Sequence, residues 1–350
     1  MIISILVFIL IFGILVISHE FGHFIVGRIN GIRVKEFTIG FGPKLFSFTK
    51  GETLYAFRLL PFGGACIFDG MEGMDDEEEL DEHSLPNAPA GKRAATLAAG
   101  PFANFIVAFV CSLIVVGFCG SDRPVVQMIM EDSAAEECGM QAGDVIRKIN
   151  GERIHLYREV SMISVMNTDG DTMTIEYERD GNRFIATLTP KYSEKDGRYY
   201  IGFRGSGEYI ECNPLQIFQY SIYEVQYWAR YTFKSIGMLF TGKVGMDALS
   251  GPVGMAEVVD ETIDASKPYG ISSVIFTMMD LLTLLSVNIG IINLLPIPAL
   301  DGGRLVFALI ELVTGKKIPP QKEGLVHLAG IVFFILLMIV IMYHDIVNLF

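Results

Sequence analysis

The sequence predicts a polytopic α-helical membrane protein with about four transmembrane helices, a β-hairpin after the first and a folded α+β module inserted between the second and third. Three observations lead to that fold class. Hydrophobic residues make up 51% of the 350 and charged residues only 19%, which is too apolar for ordinary soluble packing. The charge is gathered into a few segments, and the stretches it leaves bare are long enough to cross a hydrocarbon core of roughly 30 Å. Between two of those stretches, residues 122–205 return to the charge density and short alternating segments of a soluble domain. With 27 basic against 40 acidic residues the net charge is −13, so bulk electrostatics argue against a nucleic-acid-binding surface.

The first span occupies 1–27. Residues 2–17 carry no charge, and the predicted helix runs on through His19 and His23 to Val26. A cleaved signal peptide fits less well, because no basic segment precedes the apolar stretch and no small-residue cleavage pattern follows it. Segment 28–94 reads as a cytoplasmic loop. Within it, Phe37 to Leu60 alternates around Gly and Pro breakers, which predicts a hairpin, and the acidic run from Asp75 to Glu82 reads as a solvated linker. The second span covers 95–119, the third 271–303 and the fourth 325–343, with a cytoplasmic loop at 304–324. Basic residues in short loops set the orientation. Arg28, Arg33, Lys35, Lys92 and Arg93 lie between spans one and two, and Arg304, Lys316, Lys317 and Lys322 between three and four. Both termini and the long segment between spans two and three are therefore expected outside the cytoplasm.

In that long segment, strands are predicted at Val125 to Met130 and Asp144 to Ile149, a short helix at Ala134 to Cys138, and a hairpin turned at Asp180-Gly181. The stretch from Ser133 through Gly139, Gly143 and Asp144 to Asn150-Gly151 resembles a bacterial PDZ domain. Such domains take peptides by strand addition. Ile201-Gly202-Phe203 has the apolar-Gly-apolar form of their carboxylate-binding loop, with an ordinary edge strand as the plainer alternative. Residues 206–270 read as an extracytoplasmic, interfacial helical segment. Its aromatic residues, Phe218 to Phe233, are interrupted by Glu224, Arg230 and Lys234, which suits the headgroup level better than a fifth span. The five cysteines imply no disulfide framework; Cys138 and Cys212 could pair in an extracytoplasmic domain, with the unpaired state the expected one.

The chemistry is carried inside the first span by His19-Glu20-Phe21-Gly22-His23, an H-E-x-x-H pattern. A spacing of i, i+4 advances a helix by roughly 400°, so both imidazoles leave nearly the same face and can share one Zn²⁺, with Glu20 beside them as general base. Ionisable groups are costly in a bilayer and need a reason to be there. Two histidines leave a catalytic zinc one protein ligand short. His83 and His155 lie in the acidic loop and the insert, His344 at the far end of span four, and His327 begins span four with no motif around it; a carboxylate is the better source. At the end of the third span the chain reads Asn293-x-x-Pro296-x-Pro298-x-Leu300-Asp301-Gly302. The prolines break the helix beside a wet or protein-lined cavity, where Asp301 is expected to complete the site. Asn293, with Pro296 and Pro298, forms the candidate substrate-contact set, Asn293 hydrogen-bonding the scissile carbonyl or alternatively packing between helices.

These two motifs resemble the site-2 protease family of intramembrane zinc metalloproteases, in its RseP-like branch, over nearly the whole chain. Further matches are Gly40 to Pro43, Pro61 to Gly64, Lys92-Arg93, Ala98 to Pro101 through Asn104, the single PDZ segment, and Ser250 to Gly254. The resemblance implies His19, His23 and Asp301 as ligands of one zinc and Glu20 as catalytic base. It also implies a membrane-associated hairpin whose free edge holds an unwound substrate as an added strand. The implied activity is the second cut in regulated intramembrane proteolysis. Its substrates would be single-pass membrane proteins, such as an anti-sigma factor already trimmed by a site-1 protease, or remnant signal peptides, in a bacterial cell membrane with the active site open to the cytoplasmic side. Two departures stand out: Ala65-Cys66 replaces the Tyr-Val that follows Pro-x-Gly-Gly in many relatives, and there is one PDZ segment rather than two. The rival readings are a catalytically inactive membrane PDZ scaffold and a zinc transporter.

Overall fold

The computed structural model describes residues 2–71, 81–194, 197–205, 209–245 and 251–348. The acidic run as far as Leu80, and Ser250, lie outside the described residues. The chain divides into two compact units, one of residues 1–111 and 244–350 and the other of residues 112–243.

In the first unit, α1 (Ile2–Ile29) leads into two long strands, β1 (Val34–Lys50) and β2 (Thr53–Phe68). Among the described residues four helices are long and apolar enough to cross a membrane: Ile3–Ile29, Ala90–Cys119, Ile271–Leu294 and Gln321–Tyr343. The core between the first three is built by Ile11 and Leu15 of α1 with Cys111, Leu281, Leu282 and Leu285, joined by Val259 and Ile263. Their outer faces carry exposed Leu6, Leu10, Phe102, Ile106, Phe333 and Leu336, an apolar surface that water would penalise and lipid accepts.

The predicted hairpin over 37–60 is larger and folded over. Gly40, Gly42 and Gly63 each take φ near +89, a conformation open to glycine, and the strands double back there. Val34 to Ile39 therefore pairs with Gly64–Phe68 on one side (Phe37 with Cys66) and lies beside Leu54–Phe57 on the other (Phe37 with Tyr55). One edge of this sheet is Gly64–Phe68, beyond the range that the alternation marked.

The second unit begins within α2 (Ala90–Cys119) and continues through β3 (Ser121–Asp122), β4 (Val126–Ile129), α3 (Ala134–Glu137), β5 (Val145–Ile149), β6 (Glu152–Arg153) and α4 (Tyr157–Met166). It is completed by β7 (Met173–Arg179), β8 (Asn182–Leu188), β9 (Lys191–Ser193), β10 (Arg198–Tyr200), β11 (Phe203–Gly205), β12 (Tyr209–Ile210) and α5 (Pro214–Phe240). The main sheet has the order β6-β5-β7-β8, and Asp180 and Gly181, at φ +51 and +78, make the two-residue turn that the Asp-Gly pair predicts. Helix α4 was not legible in the sequence. It covers the core through Val160, Met162 and Ile163. The charges on α5 are paired within the unit: Glu224 with Arg158 at 3.0 Å, Arg230 with Glu159 at 2.9 Å and Lys234 with Glu152 at 3.0 Å, while Tyr227 enters the core. Cys138 and Cys212 are both free.

Back in the first unit come α6 (Pro252–Ser266), α7 (Ile271–Leu294), α8 (Asp301–Thr314) and α9 (Pro320–Asn348). Helix α8 occupies much of the stretch read as a loop, ending where Gly315 adopts the left-handed conformation. Arg93, counted in the sequence among the loop residues between spans one and two, lies in α2, where it is buried and bonds Glu311 of α8 at 2.8 Å. The buried carboxylate of Asp345 caps α6 by accepting from the amides of Gly251 and Gly254 at 3.2 and 3.1 Å.

Candidate metal centre

Helix α1 carries His19, Glu20 and His23, and α2 is pressed flush against it. A Cβ on Gly22 would lie 2.3 Å from the carbonyl oxygen of Ala99, and one on Gly100 would lie 2.2 Å from Nε2 of His23. Only hydrogen in these two places lets the helices meet at the histidines.

The Nε2 atoms of His19 and His23 stand 3.2 Å apart, and Oδ2 of Asp301 lies 2.9 Å from the first and 3.2 Å from the second. Nδ1–H of His23 donates to the carbonyl of Thr96 at 2.8 Å. A carbonyl only accepts, so the proton sits on Nδ1 and Nε2 keeps a lone pair aimed at the cluster. The side-chain amide of the fully buried Asn104 lies 3.3 Å from Nδ1 of His19, and Ser18 donates to its Oδ1 at 3.0 Å. A half-turn of that amide presents oxygen to Nδ1–H and frees Nε2 of His19 in the same way. Two imidazole lone pairs and a carboxylate oxygen facing one point fit a cation. Their separations approach the ~3.4 Å edge of a tetrahedron with bonds of about 2.1 Å, and the donor set is one that zinc takes. Among the described residues these three are the group close enough to share an ion.

Glu20 is held next to the cluster by the sheet edge, where Cys66 donates its backbone N–H to Oε2 at 2.7 Å. Gly64 keeps this edge close to its neighbouring strand, since a Cβ there would lie 2.9 Å from the carbonyl oxygen of Thr38. Burial, and secondarily the Glu20 carboxylate, push the Cys66 thiol up from its ordinary value, which favours the neutral thiol over the thiolate. The edge residues Ala65 to Phe68 line a cavity of about 600 Å³ with His19, Glu20, His23, Asp301, Arg304 and His327. A second cavity, of about 280 Å³, joins His19, Glu20 and Asp301 to Asn293, Val16 and Leu300.

Asp301 reaches the histidines because α7 stops at Leu294 and α8 restarts at Asp301 itself. Gly302 fits beneath the carbonyls of Leu294 and Leu295, where a Cβ would sit 2.2 Å from oxygen. Asn293 has no side-chain hydrogen bond among the described residues and borders the second cavity. Pro296 and Pro298 line neither cavity; they shape the turn. In the other unit, Ile201 and Phe203 are buried in the core, and the Gly202 carbonyl is taken by the Met130 amide and the Ser133 hydroxyl at 2.8 and 3.1 Å. All three border a groove of about 260 Å³ beside α4. Sequence reasoning missed Thr96, Gly100, the role of Asn104, and the Cys66 amide; its one signal was the Ala98 to Asn104 match.

A zinc peptidase working among membrane-spanning helices is the class of enzyme to which this arrangement belongs. The chain is a member of peptidase family M50, whose model matches residues 7–337. It is similar to the zinc metalloprotease RasP of Geobacillus kaustophilus, 33% identical over 427 aligned residues, covering 99% of this chain and 98% of the relative. A putative zinc metalloprotease of Clostridium acetobutylicum is 34% identical over 345, covering 98% and 97%. The regulator of sigma-W protease RasP of Bacillus subtilis is 30% identical over 427, covering 99% of each. A solved PDZ domain of an SdrC-like protein from Listeria innocua is 26% identical, covers 25% of this chain and 98% of its own, and has a TM-score of 0.23. The protein is thus a multi-pass bacterial membrane enzyme with zinc as cofactor, and the scaffold and transporter readings fall away.

Proposed function

We propose that His19, His23 and Asp301 hold the zinc and that Glu20 is the general base in hydrolysis of the membrane segment of single-pass proteins. The observation that carries this reading is the convergence of three donor atoms within 3.2 Å of one another, with a carboxylate anchored beside them. When bound, zinc supplies Lewis acidity that acidifies water and polarises a peptide carbonyl. Glu20 takes the proton and passes it to the leaving amine, and its bond to the Cys66 amide keeps one carboxylate oxygen aimed while the other works. Asn293 donates to the developing oxyanion.

A helical substrate hides its carbonyls, and the edge Gly64–Phe68 supports an answer: an unwound segment adds to it as a strand, inside the cavity that holds Glu20. The basic short loops favour termini and the PDZ-like unit outside the cytoplasm and a site opening inward. A relative named for sigma-W regulation favours a membrane-bound anti-sigma factor, trimmed by a site-1 protease, as one substrate, and remnant signal peptides as another. The groove at Ile201 to Phe203 would then screen against untrimmed chains.

The test is Glu20→Gln, which keeps the hydrogen bond to Cys66 and removes the base. Cleavage of a tagged single-pass substrate should stop while zinc stays bound; cleavage at an unchanged rate would reject Glu20 as the base.

A further inference from the structure

His327 lies outside the metal cluster, yet it touches the turn that carries Asp301. Its Nδ1 accepts the amide of Ala299 at 3.2 Å. Ala299 has φ +77, a left-handed conformation that costs a residue with a Cβ about 1 kcal/mol or more and persists only where the surroundings enforce it. Its neighbours cannot do the enforcing alone: Pro298 has no amide, and the Leu300 amide is already given to Ile297 at 3.2 Å.

One turn further along α9, Gly330 makes a second contact with the same segment. A Cβ there would sit 2.5 Å from the carbonyl carbon of Pro298. Positions 327 and 330 share a helix face, so α9 grips the turn at two adjacent points. On the far side there is no slack, because a Cβ on Gly303 would lie 2.5 Å from the carbonyl oxygen of Ile297. A turn clamped on both sides passes any displacement to the residue that follows it, Asp301.

We propose that His327 is a positioning residue for the metal centre: by accepting the Ala299 amide it locks the Pro298-Ala299-Leu300 turn and so places Oδ2 of Asp301 between the two histidines. The chemistry suits the location. A backbone amide buried among membrane helices needs an acceptor, and a neutral imidazole with its proton on Nε2 supplies one from a rigid ring. The inference rests on reading Asp301 as a zinc ligand.

The experiment is competition of the purified full-length protein against a chelator for zinc. His327→Leu keeps bulk and loses the acceptor, and should weaken zinc binding about 10- to 100-fold, the range for losing an outer partner of a ligand. His327→Asn returns an acceptor near the Nδ1 position and should restore affinity. Gly330→Ala, which leaves His327 in place, should weaken zinc by pushing Pro298. Unchanged affinity in His327→Leu, or an Asn variant as weak as the Leu variant, overturns the proposal. Asp301→Ala separates the two readings: if it retains zinc, the ligand assignment fails and the inference with it, whereas zinc lost there but kept in His327→Leu rejects the clamp alone.

Discussion

Gly100 of α2 faces the ring of His23 so closely that a Cβ would lie 2.2 Å from Nε2. The proposed metal centre therefore depends on a missing methyl as much as on its candidate ligands. Gly100→Ala should turn the His23 ring off the Thr96 carbonyl and lower zinc affinity by about tenfold or more. Helix propensity alone would favour the change by about 1 kcal/mol, so thermal unfolding separates the two effects: zinc is lost from a protein whose helices persist. Circular dichroism with chelator competition reads both.

Arg93 pairs with Glu311 at 2.8 Å and approaches Glu323 at 3.9 Å, its side chain only 7% exposed. Removing one partner of such a pair strands a buried charge. Arg93→Met should cost about 3 kcal/mol or more, whereas Arg93→Met with Glu311→Met should recover much of it. Unfolding of the detergent-solubilised variants measures the difference.

Asp345 caps α6 from the far end of α9 through the Gly251 and Gly254 amides. Asp345→Ala should destabilise by about 1–2 kcal/mol, the usual loss for a helix cap, and Asp345→Asn by less. A melting temperature unmoved by the alanine would show the cap to be energetically silent.

His155 stacks on Tyr223 with ring centroids 3.9 Å apart. Burial first, then Arg230 and Arg153, hold its imidazole below the ordinary value, against the pull of Glu159. Between the lowered folded value and the unfolded one of about 6.5 the unfolded chain binds a proton that the folded chain refuses. The contribution of this residue is therefore complete above pH ~6.5 and falls as the pH drops toward the folded value. An NMR titration of the ring should give a midpoint below 6.5, and His155→Gln should flatten the acid-side loss of stability.

The spans and the histidine pair were legible because each obeys a local rule. Lipid excludes charge over a helix length, and an i, i+4 spacing puts two side chains on one face whatever else the chain does. The hairpin was legible only in outline. Alternation marks strands, but the doubling back at Gly40, Gly42 and Gly63, and with it the edge that holds Glu20, follows from backbone conformations that only the folded sheet selects. Helix α8 was hidden because the basic residues from Arg304 to Lys322 make that stretch read as a loop, and the packing of α5, though not its helix, because charges that look solvated are paired within the unit.

By itself the sequence determined that this is a membrane protein whose first helix carries an H-E-x-x-H motif, with Asp301 a candidate to join it. Tertiary structure decided that Asp301, 278 residues from His23, comes within 3.2 Å of it, and that Thr96, Gly100, Asn104 and His327 lie around the cluster. The division has a physical cause. Periodicity is written in neighbouring residues, whereas the approach of α2, α7 and α9 is set by where small residues let backbones touch.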